Sequence, residues 1–249
     1  MKRVKLVVAY DGTNYCGWQV QKNGETIESV LNRAIGELTG EEIHVMGSSR
    51  TDAGVHACGN VAVFDTEARM AADKFSYALN QRLPEDIRIQ DSCEVPADFH
   101  PRFQKTVKTY EYRILNREFP LPAYRFNSHF TYRKLDVERM RQAAAYLIGE
   151  HDFQSFCAAG AQVKTTVRMI YALDVEKQGD LIILRITGNG FLYNMVRIIA
   201  GTLMKIGQGD WEPECIPEIL AGCDRQLAGP TAPARGLTLM EIHFKGEKG

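Results

Sequence analysis

The feature of this sequence that most constrains its fold is an order of strand-like and helix-like segments that occurs twice. In the first half, the β-rich segment 4–10 ends at the turn pair Asp11-Gly12. A helical pattern follows over 26–40, with Thr26 as a suitable N-cap and Gly40 just past its end. The helical spacing is carried by Ile27, Val30, Leu31, Ala34, Ile35 and Leu38. The rest of this half predicts strands over 42–46, 60–66 and 87–95, and a helix over 71–83.

The second half repeats this β-α-β-β-α-β order with little shared sequence. It predicts a strand over 109–115, a helix within 137–149, two strands that turn at Gln178-Gly179, a helix over 194–207 and a last strand over 237–244. We therefore expect an α+β protein made of two ferredoxin-like βαββαβ units, one over 1–101 and one over 102–249. Each unit packs both helices on one face of an antiparallel sheet, so two open faces are available to form one cleft.

Composition narrows the class of protein. The chain has 249 residues, 45% of them hydrophobic and 24% charged, which is typical of a folded, soluble protein. The sequence predicts no signal peptide and no membrane span. The six cysteines form no C-x-x-C pair, which argues against a zinc ribbon or a disulfide framework and favours the reducing cytoplasm. A net charge of -1 gives no global sign of a nucleic-acid partner, so any polyanion would need a local cluster such as Arg102, Lys105 and Lys108.

The loop "SSRTDAGVHA", residues 48–57, presents one carboxylate, Asp52, between an arginine and a glycine turn. A metal site needs further ligands, and only His56 is close in sequence. A structural aspartate suits a turn in which its side chain caps local amides. The third interpretation is a catalytic carboxylate that acts as a nucleophile or a base. These ten residues do not decide among the three, but the loop connects the two middle strands of the first unit, where function tends to reside.

Two further groups in the second half bear on this choice. Arg197 lies off the centre of the apolar stripe of a mostly apolar helix; such an arginine either extends to the surface or, facing a cleft, pairs with a carboxylate. Tyr110 and Tyr112 are two residues apart on a strand and so share one face. They are either core tyrosines or, with nearby cations, rings that stack on an unpaired nucleobase.

Six segments together resemble the bacterial tRNA pseudouridine synthase A family, in order and across nearly the whole chain. They are "YDGTNYCGWQVQ", "SSRTDAGVHACGNVAVF", "ADFHPRF", "KTYEYRI", "NGFLYNMVRIIAGTL" and "TAPARGLTL". The segment "RTDAGVHA" is the most specific of them. The resemblance implies an isomerase with two domains that meet at a basic cleft around a central antiparallel sheet, usually in a homodimer, acting on uridines 38 to 40 in the anticodon arm of tRNA.

The same resemblance assigns site residues. Asp52 matches the catalytic aspartate, and Arg50 matches the arginine beside it that helps hold RNA at the flipped nucleotide. Tyr110 matches the ring that stacks on the target base, and Arg197 matches the arginine that pairs with the aspartate. The family's reaction needs no cofactor and no metal. For "YDGTNYCGW" we expect no catalytic role, with Trp18 as a packed aromatic.

The main rival hypothesis is a non-catalytic RNA-binding protein, because two βαββαβ units also describe tandem RNA-recognition motifs. Neither half has the aromatic signature with which such modules stack bases, and an RNA-recognition motif has no need of an "RTDAG" loop. A metal-dependent hydrolase is a weaker rival because the sequence lacks clustered ligands.

Overall fold

The computed structural model describes residues 1–160 and 163–244. Strands and helices alternate in the order that the sequence predicts, with some additions. In chain order the elements are β1 (Lys2–Tyr10), α1 (Ile27–Thr39), β2 (Met46–Gly47), β3 (His56–Thr66), α2 (Phe75–Asn80), β4 (Ile87–Val95), β5 (Thr106–Asn116), β6 (His129–Thr131), α3 (Val137–Ala145), β7 (Gly149–Asp152), β8 (Val167–Gln178), β9 (Leu181–Gly188), α4 (Met195–Gly207), α5 (Cys215–Gly222) and β10 (Leu237–Phe244).

The chain divides into two compact units. Among the residues that the structure describes, unit 1 consists of residues 1–105 and those from 239 onward, and unit 2 consists of those between 106 and 238. This division differs from the predicted one, 1–101 and 102–249, mainly at the end of the chain. Most of β10 belongs to unit 1, in which it lies beside β3 in the sheet. A pattern of strand residues shows that a strand forms but does not show which sheet it joins.

Unit 1 is built on a sheet with the strand order β4-β1-β3-β10. The strand β1 runs antiparallel to both β3 and β4, and its alternate residues Val4, Leu6 and Val8 are fully buried. The helix α1 begins and ends where the sequence predicts. Thr26 caps it in a capping box with Ser29, and Gly40 ends it in the left-handed conformation.

Unit 2 is built on a sheet with the order β5-β9-β8-β7, in which neighbouring strands are antiparallel. The short β6 pairs with β5 in the parallel direction. The helix α3 packs against α4 and against β8. Nearly every residue of α4 is buried, which explains its apolar sequence. The α+β class and the mostly antiparallel pairing are therefore confirmed.

Two predicted elements of the first half are shorter than expected. The strand predicted over 42–46 reduces to β2, because the amide of Val45 donates to Oδ1 of Asn32 at 2.8 Å instead of joining a ladder. The helix predicted over 71–83 becomes a 3₁₀ turn followed by α2. At the end of α2 the side chain of Asn80 binds both the amide and the carbonyl of Ile89. The elements β6, β7 and α5 were not predicted.

In the part of the chain that the structure describes, no helix has both the length and the apolar character required to cross a membrane.

Candidate active site

Asp52 occupies the first position of a tight turn in unit 1. The amide of Val55 donates to the carbonyl oxygen of Asp52 at 3.1 Å, and Gly54, the third residue of the turn, has a φ of 77°. A positive φ at this position is the requirement of a type II turn, which glycine meets without strain. Asp52 is half-buried and Arg50 is exposed, while Thr51 between them is buried. The turn therefore presents the carboxylate and one guanidinium on a fixed backbone.

The segment Asp11–Trp18 is hydrogen-bonded to this turn through the backbone and fixes its position. The amide of Trp18 donates to the carbonyl of Thr51 at 3.0 Å, and the amide of Gly54 donates to the carbonyl of Tyr15 at 3.3 Å. A Cβ atom at Gly17 would lie 2.6 Å from the carbonyl oxygen of Thr51, so only glycine permits this approach. For "YDGTNYCGW" we expected no catalytic role, and its contact with the Asp52 turn was not predicted. Its glycines were the available signal, since they mark close backbone approaches.

A buried hydrogen-bond chain holds the other side of the loop. The Tyr10 hydroxyl lies 2.8 Å from Oγ1 of Thr51. Nδ2 of Asn60 donates to the Tyr10 hydroxyl at 3.2 Å and to the carbonyl of Ser49 at 3.0 Å. Asn60 is fully buried and Tyr10 is 5% exposed. Because these partners lie on β1 and β3, the position of Thr51 is fixed by the sheet itself.

His56, at the start of β3, is a structural partner of the same support. Its Nδ1 accepts a hydrogen bond from the amide of Gly12 at 3.1 Å, and Oδ1 of Asp11 also lies 3.1 Å from Nδ1. The neutral ring accepts from Gly12, whereas a ring protonated at Nδ1 would donate to the Asp11 carboxylate. Only one of these bonds forms at a time. Burial by itself raises the pKa of Asp11, but hydrogen bonds from Thr13 and the charge of His56 outweigh it and lower that pKa.

A turn that ends with Phe103 is attached to the start of the loop. Oγ of Ser48 donates to the carbonyl of Pro101 at 3.0 Å, and Nε of Arg102 donates to the carbonyl of Gly47 at 2.9 Å. Burial lowers the pKa of Arg102, and the positive charge of Arg50 lowers it further. Arg102 and Arg50 are therefore close enough to repel each other.

Tyr110 lies on β5 in unit 2, paired with Ile186 of β9. It is 7% exposed, and its ring meets that of Phe191 nearly edge to face, with centroids 5.2 Å apart and planes at 83°. Tyr112 is fully buried, and its hydroxyl donates to the carbonyl of Pro233 at 2.9 Å. The pKa of Tyr112 is raised by burial, although Arg197 and Arg235 oppose the shift. Tyr112 is thus a core tyrosine, and Tyr110 is an almost enclosed ring.

Arg197 is half-buried near the start of α4 in unit 2. Its Nε donates to the carbonyl of Ala232 at 2.7 Å, and its Nη1 donates to Oδ1 of Asn194 at 2.7 Å. The amide of Ala232 in turn donates to the carbonyl of Arg197 at 3.1 Å. The segment "TAPARG" therefore holds the arginine in place.

The four predicted site residues divide between the units. Asp52 and Arg50 belong to one loop of unit 1, and Tyr110 and Arg197 belong to unit 2. Within residues 1–160 and 163–244, no group of three His, Cys, Asp or Glu residues is arranged to hold a metal ion. A cavity of about 360 Å³ in unit 2 has an apolar lining that includes Leu115, Leu121 and Phe130 and none of the four predicted site residues. Volume alone therefore does not identify the site.

Comparison with known proteins identifies the family. A family model described as tRNA pseudouridine synthase matches residues 6–104 and 143–245. The chain is 50% identical over 245 residues to the tRNA pseudouridine synthase A of Brevibacillus brevis, covering 98% of this chain and all of the relative. It is 48% identical over 244 residues to that of Acetivibrio thermocellus, again covering 98% of this chain and the whole relative. With the model covering most of the chain and the relatives matching end to end, this chain belongs to the tRNA pseudouridine synthase family, whose members are isomerases.

Proposed function

We propose that this chain converts uridine to pseudouridine in tRNA, at uridines 38 to 40 of the anticodon arm, with Asp52 as the catalytic residue. The observation that carries the proposal is the presentation of Asp52 on a type II turn whose backbone is hydrogen-bonded, at Thr51 and Gly54, to the segment that contains Tyr15 and Trp18. The named relatives are tRNA pseudouridine synthases over their full length. A carboxylate that only capped its own turn would not need this support.

The chemistry is suited to a single carboxylate. Isomerisation breaks the bond between N1 of uracil and C1' of ribose, rotates the base and joins C5 to C1'. The proton on C5 is released, and N1 takes up a proton in its place. No net oxidation or hydrolysis occurs, so the balance needs no redox cofactor. Asp52 attacks the base, attacks the sugar or removes a sugar proton, and all three roles require its charged form.

The neighbouring residues take the roles that the family resemblance implies. Arg50, exposed beside Asp52, holds the RNA at the flipped nucleotide. The Tyr110 ring stacks on the freed uracil, offsetting part of the few kcal/mol that flipping costs. Arg197 keeps Asp52 charged, since a nearby cation favours a carboxylate. The fixed orientation of the Arg197 guanidinium by Ala232 and Asn194 supports such a role.

We also propose the architecture that the resemblance implies: two ferredoxin-like units around a central antiparallel sheet with a basic cleft, acting as a homodimer in the cytoplasm. The unit that carries Asp52 is the N-terminal one, and the unit that carries Tyr110 and Arg197 is the C-terminal one. The order β4-β1-β3, with β2 beside β3, supports a ferredoxin-like unit 1.

Tritium release from tRNA labelled at C5 of uracil tests the function. Chemistry at C5 releases the label as water, and simple binding does not. We expect release in a single turnover without added metal or nucleotide, and a substrate with its label confined to uridines 38 to 40 should release all of it. An RNA-binding protein without activity would hold the tRNA and release no tritium, which would refute the proposal.

A further inference from the structure

The turn that ends with Phe103 has one aromatic ring directed to solvent. Phe103 is 83% exposed, and its ring is stacked on the ring of His100, with centroids 4.0 Å apart and planes at 21°. One face of Phe103 is therefore covered by His100, and the other is open. A large exposed ring on a surface gains nothing for folding, because burial of apolar area is what stabilises a protein.

The backbone holds this ring in a defined position. The amide of Phe103 donates to the carbonyl of His100 at 3.1 Å, and the amide of Arg102 donates to Nδ1 of His100 at 3.2 Å. Pro101 between them is buried, and its carbonyl accepts from Ser48 of the Asp52 loop. The His100 ring is thus oriented by its own turn, and the turn is anchored to the loop that carries Asp52.

A positive charge lies beside the ring. Nε of Arg102 is bonded to the carbonyl of Gly47, and no carboxylate of the described residues forms an ion pair with its guanidinium. Arg50 is close enough for its charge to lower the pKa of Arg102, after the larger effect of burial, and the weaker opposing effect of the Glu28 charge offsets only part of this. Two like charges held near each other raise the energy of the free protein, and a phosphate placed beside them would relieve this repulsion.

We propose that His100, Arg102 and Phe103 form a second nucleotide subsite beside the Asp52 loop, which takes an unpaired nucleotide adjacent to the target uridine. Its base stacks on the open face of Phe103, and its phosphate lies at Arg102 and Arg50. An aromatic ring with an adjacent arginine is the combination that binds single-stranded RNA without sequence preference. The subsite rests on the proposed function, because it needs an RNA substrate.

A pair of matched variants tests the stacking surface. Phe103→Leu keeps an apolar side chain but removes the ring. Tyr77→Leu removes another exposed ring of unit 1, which has a cation, Lys74, beside it. The dissociation constant for an anticodon-arm RNA should rise about 5- to 100-fold in Phe103→Leu and remain near the wild-type value in Tyr77→Leu. Phe103→Tyr, which keeps the ring, should bind as the wild type does. Equal binding by the two leucine variants would overturn the subsite.

The RNA itself provides a second measurement. With 2-aminopurine placed singly at each unpaired loop position, one position next to the target should lose fluorescence on binding to the wild type and keep it on binding to Phe103→Leu. If no position distinguishes the two proteins while the wild type still releases tritium, the subsite is wrong and the proposed function stands. If Phe103→Leu instead changes the oligomeric state without RNA, the ring is a protein contact and the subsite is also wrong.

The phosphate contact is tested through salt. Arg102→Gln should lower the slope of log affinity against log salt by about 1, as expected for one lost phosphate contact. Arg69→Gln, at an exposed arginine of unit 1, should leave the slope unchanged. Arg102→Lys keeps the charge but loses the bond to Gly47, and it should keep the slope. A slope that falls equally in Arg102→Gln and Arg69→Gln would remove Arg102 from the subsite.

Discussion

The ring of Phe191 meets the ring of Tyr110 edge to face, with centroids 5.2 Å apart and planes at 83°. Phe191 comes just before α4, and Tyr110 lies on β5, so this contact ties the ring to two elements of unit 2. Edge-to-face pairs contribute about 0.5–1.5 kcal/mol beyond burial. The contact fixes the plane of the Tyr110 ring. A ring that stacks on a base needs a fixed plane, but a tyrosine in the core also has one, so the contact is compatible with both roles.

Substitutions at Tyr110 separate these two roles. If the ring stacks on uracil, Tyr110→Phe should bind tRNA normally, and it should react slowly if the hydroxyl also transfers a proton. Tyr110→Leu should lose binding of the flipped state as well, by about 1–3 kcal/mol. Melting temperature and single-turnover rate are measured on both variants. Normal turnover by Tyr110→Leu would remove Tyr110 from the active site.

Tyr112 offers the matched control for that experiment. It lies two residues along the same strand, is fully buried, and donates a hydrogen bond to Pro233. Tyr112→Phe should lower the melting temperature by leaving the Pro233 carbonyl without its donor, while the rate per folded molecule stays unchanged. A fall in rate comparable to that of Tyr110→Phe would show that the assay reports packing and not stacking.

Asp52→Asn should abolish pseudouridine formation and leave the fold and most tRNA affinity intact. The amide keeps the shape of the side chain, and the turn depends on backbone bonds of Asp52, so its geometry should survive. Affinity rests on phosphate contacts spread over many cations and should change little. Tritium release and tRNA binding are measured on the same preparation. Turnover at a tenth of the wild-type rate or more would refute the catalytic assignment.

The sequence predicts those structural features that are determined by residues close to one another along the chain. The limits of α1 follow from Thr26 and Gly40, whose capping chemistry is local, and both are observed. The burial of Trp18 was also expected, and it is fully buried. The predicted strand over 42–46 was wrong over most of its length because Asn32, distant in sequence, binds the Val45 amide.

The same holds for the candidate site: its local turn is predictable from the sequence, but its contacts with distant segments are not. The spacing of "SSRTDAGVHA" indicates a functional loop around Asp52, because the turn residues are contiguous. The support from Gly12, Gly17 and Asn60 is invisible in the sequence, since each contact joins segments far apart along the chain. Glycines in "YDGTNYCGW" permit a close approach but do not specify the segment that approaches.

Shortening the His56 side chain should lower both stability and activity, because its ring accepts a hydrogen bond from the Gly12 amide. In His56→Ala the buried Gly12 amide loses its acceptor, which should lower the free energy of unfolding by about 1–3 kcal/mol. The single-turnover rate should fall because the Asp52 turn packs on the same segment. His56→Asn returns an acceptor near the position of Nδ1 and should recover part of both losses.

His44 is the control for that variant because it is also in unit 1 and its side chain is 82% exposed. His44→Ala should change neither the stability nor the rate. The interpretation fails if His56→Asn is no better than His56→Ala in both measurements, since the acceptor would then be irrelevant.

Asp11 gives a prediction for pH. Burial by itself would raise its pKa in the folded protein, but the pKa is lowered overall, and the hydrogen bonds from Thr13 are the largest of the effects that lower it. A lowered carboxyl pKa stabilises the folded state above the unfolded value, near pH 4, and this stabilisation is lost as pH falls through the folded value. Asp11→Asn should therefore melt below the wild type at pH 7, and the difference should shrink as the pH falls below about 4 toward the folded value.

The size of that effect is limited by solvent. The Asp11 side chain is 47% exposed, so screening should keep its contribution under about 1 kcal/mol. Asp91→Asn, at an exposed carboxylate of β4, provides the comparison. A difference in melting temperature between Asp11→Asn and the wild type that stays constant from pH 7 to pH 3 would contradict the predicted linkage.

Gly17→Ala tests whether the support of the Asp52 turn matters for catalysis. The new Cβ would lie 2.6 Å from the carbonyl oxygen of Thr51, and the backbone would be held at a φ of 87°. The positive φ costs about 1–2 kcal/mol for a residue with a side chain. Gly40→Ala is the matched control, because Gly40 has a φ of 75° and nothing within 4 Å of its Cβ position. Both variants should lose stability through backbone strain.

Only Gly17→Ala should also displace Thr51 and Asp52. Because small misplacements of a reacting group cost about 100-fold in rate, its single-turnover rate should fall at least 10-fold. Both rates are measured at a temperature where both variants are fully folded. If the two variants react at the same rate, the Asp52 turn does not depend on the segment beneath it.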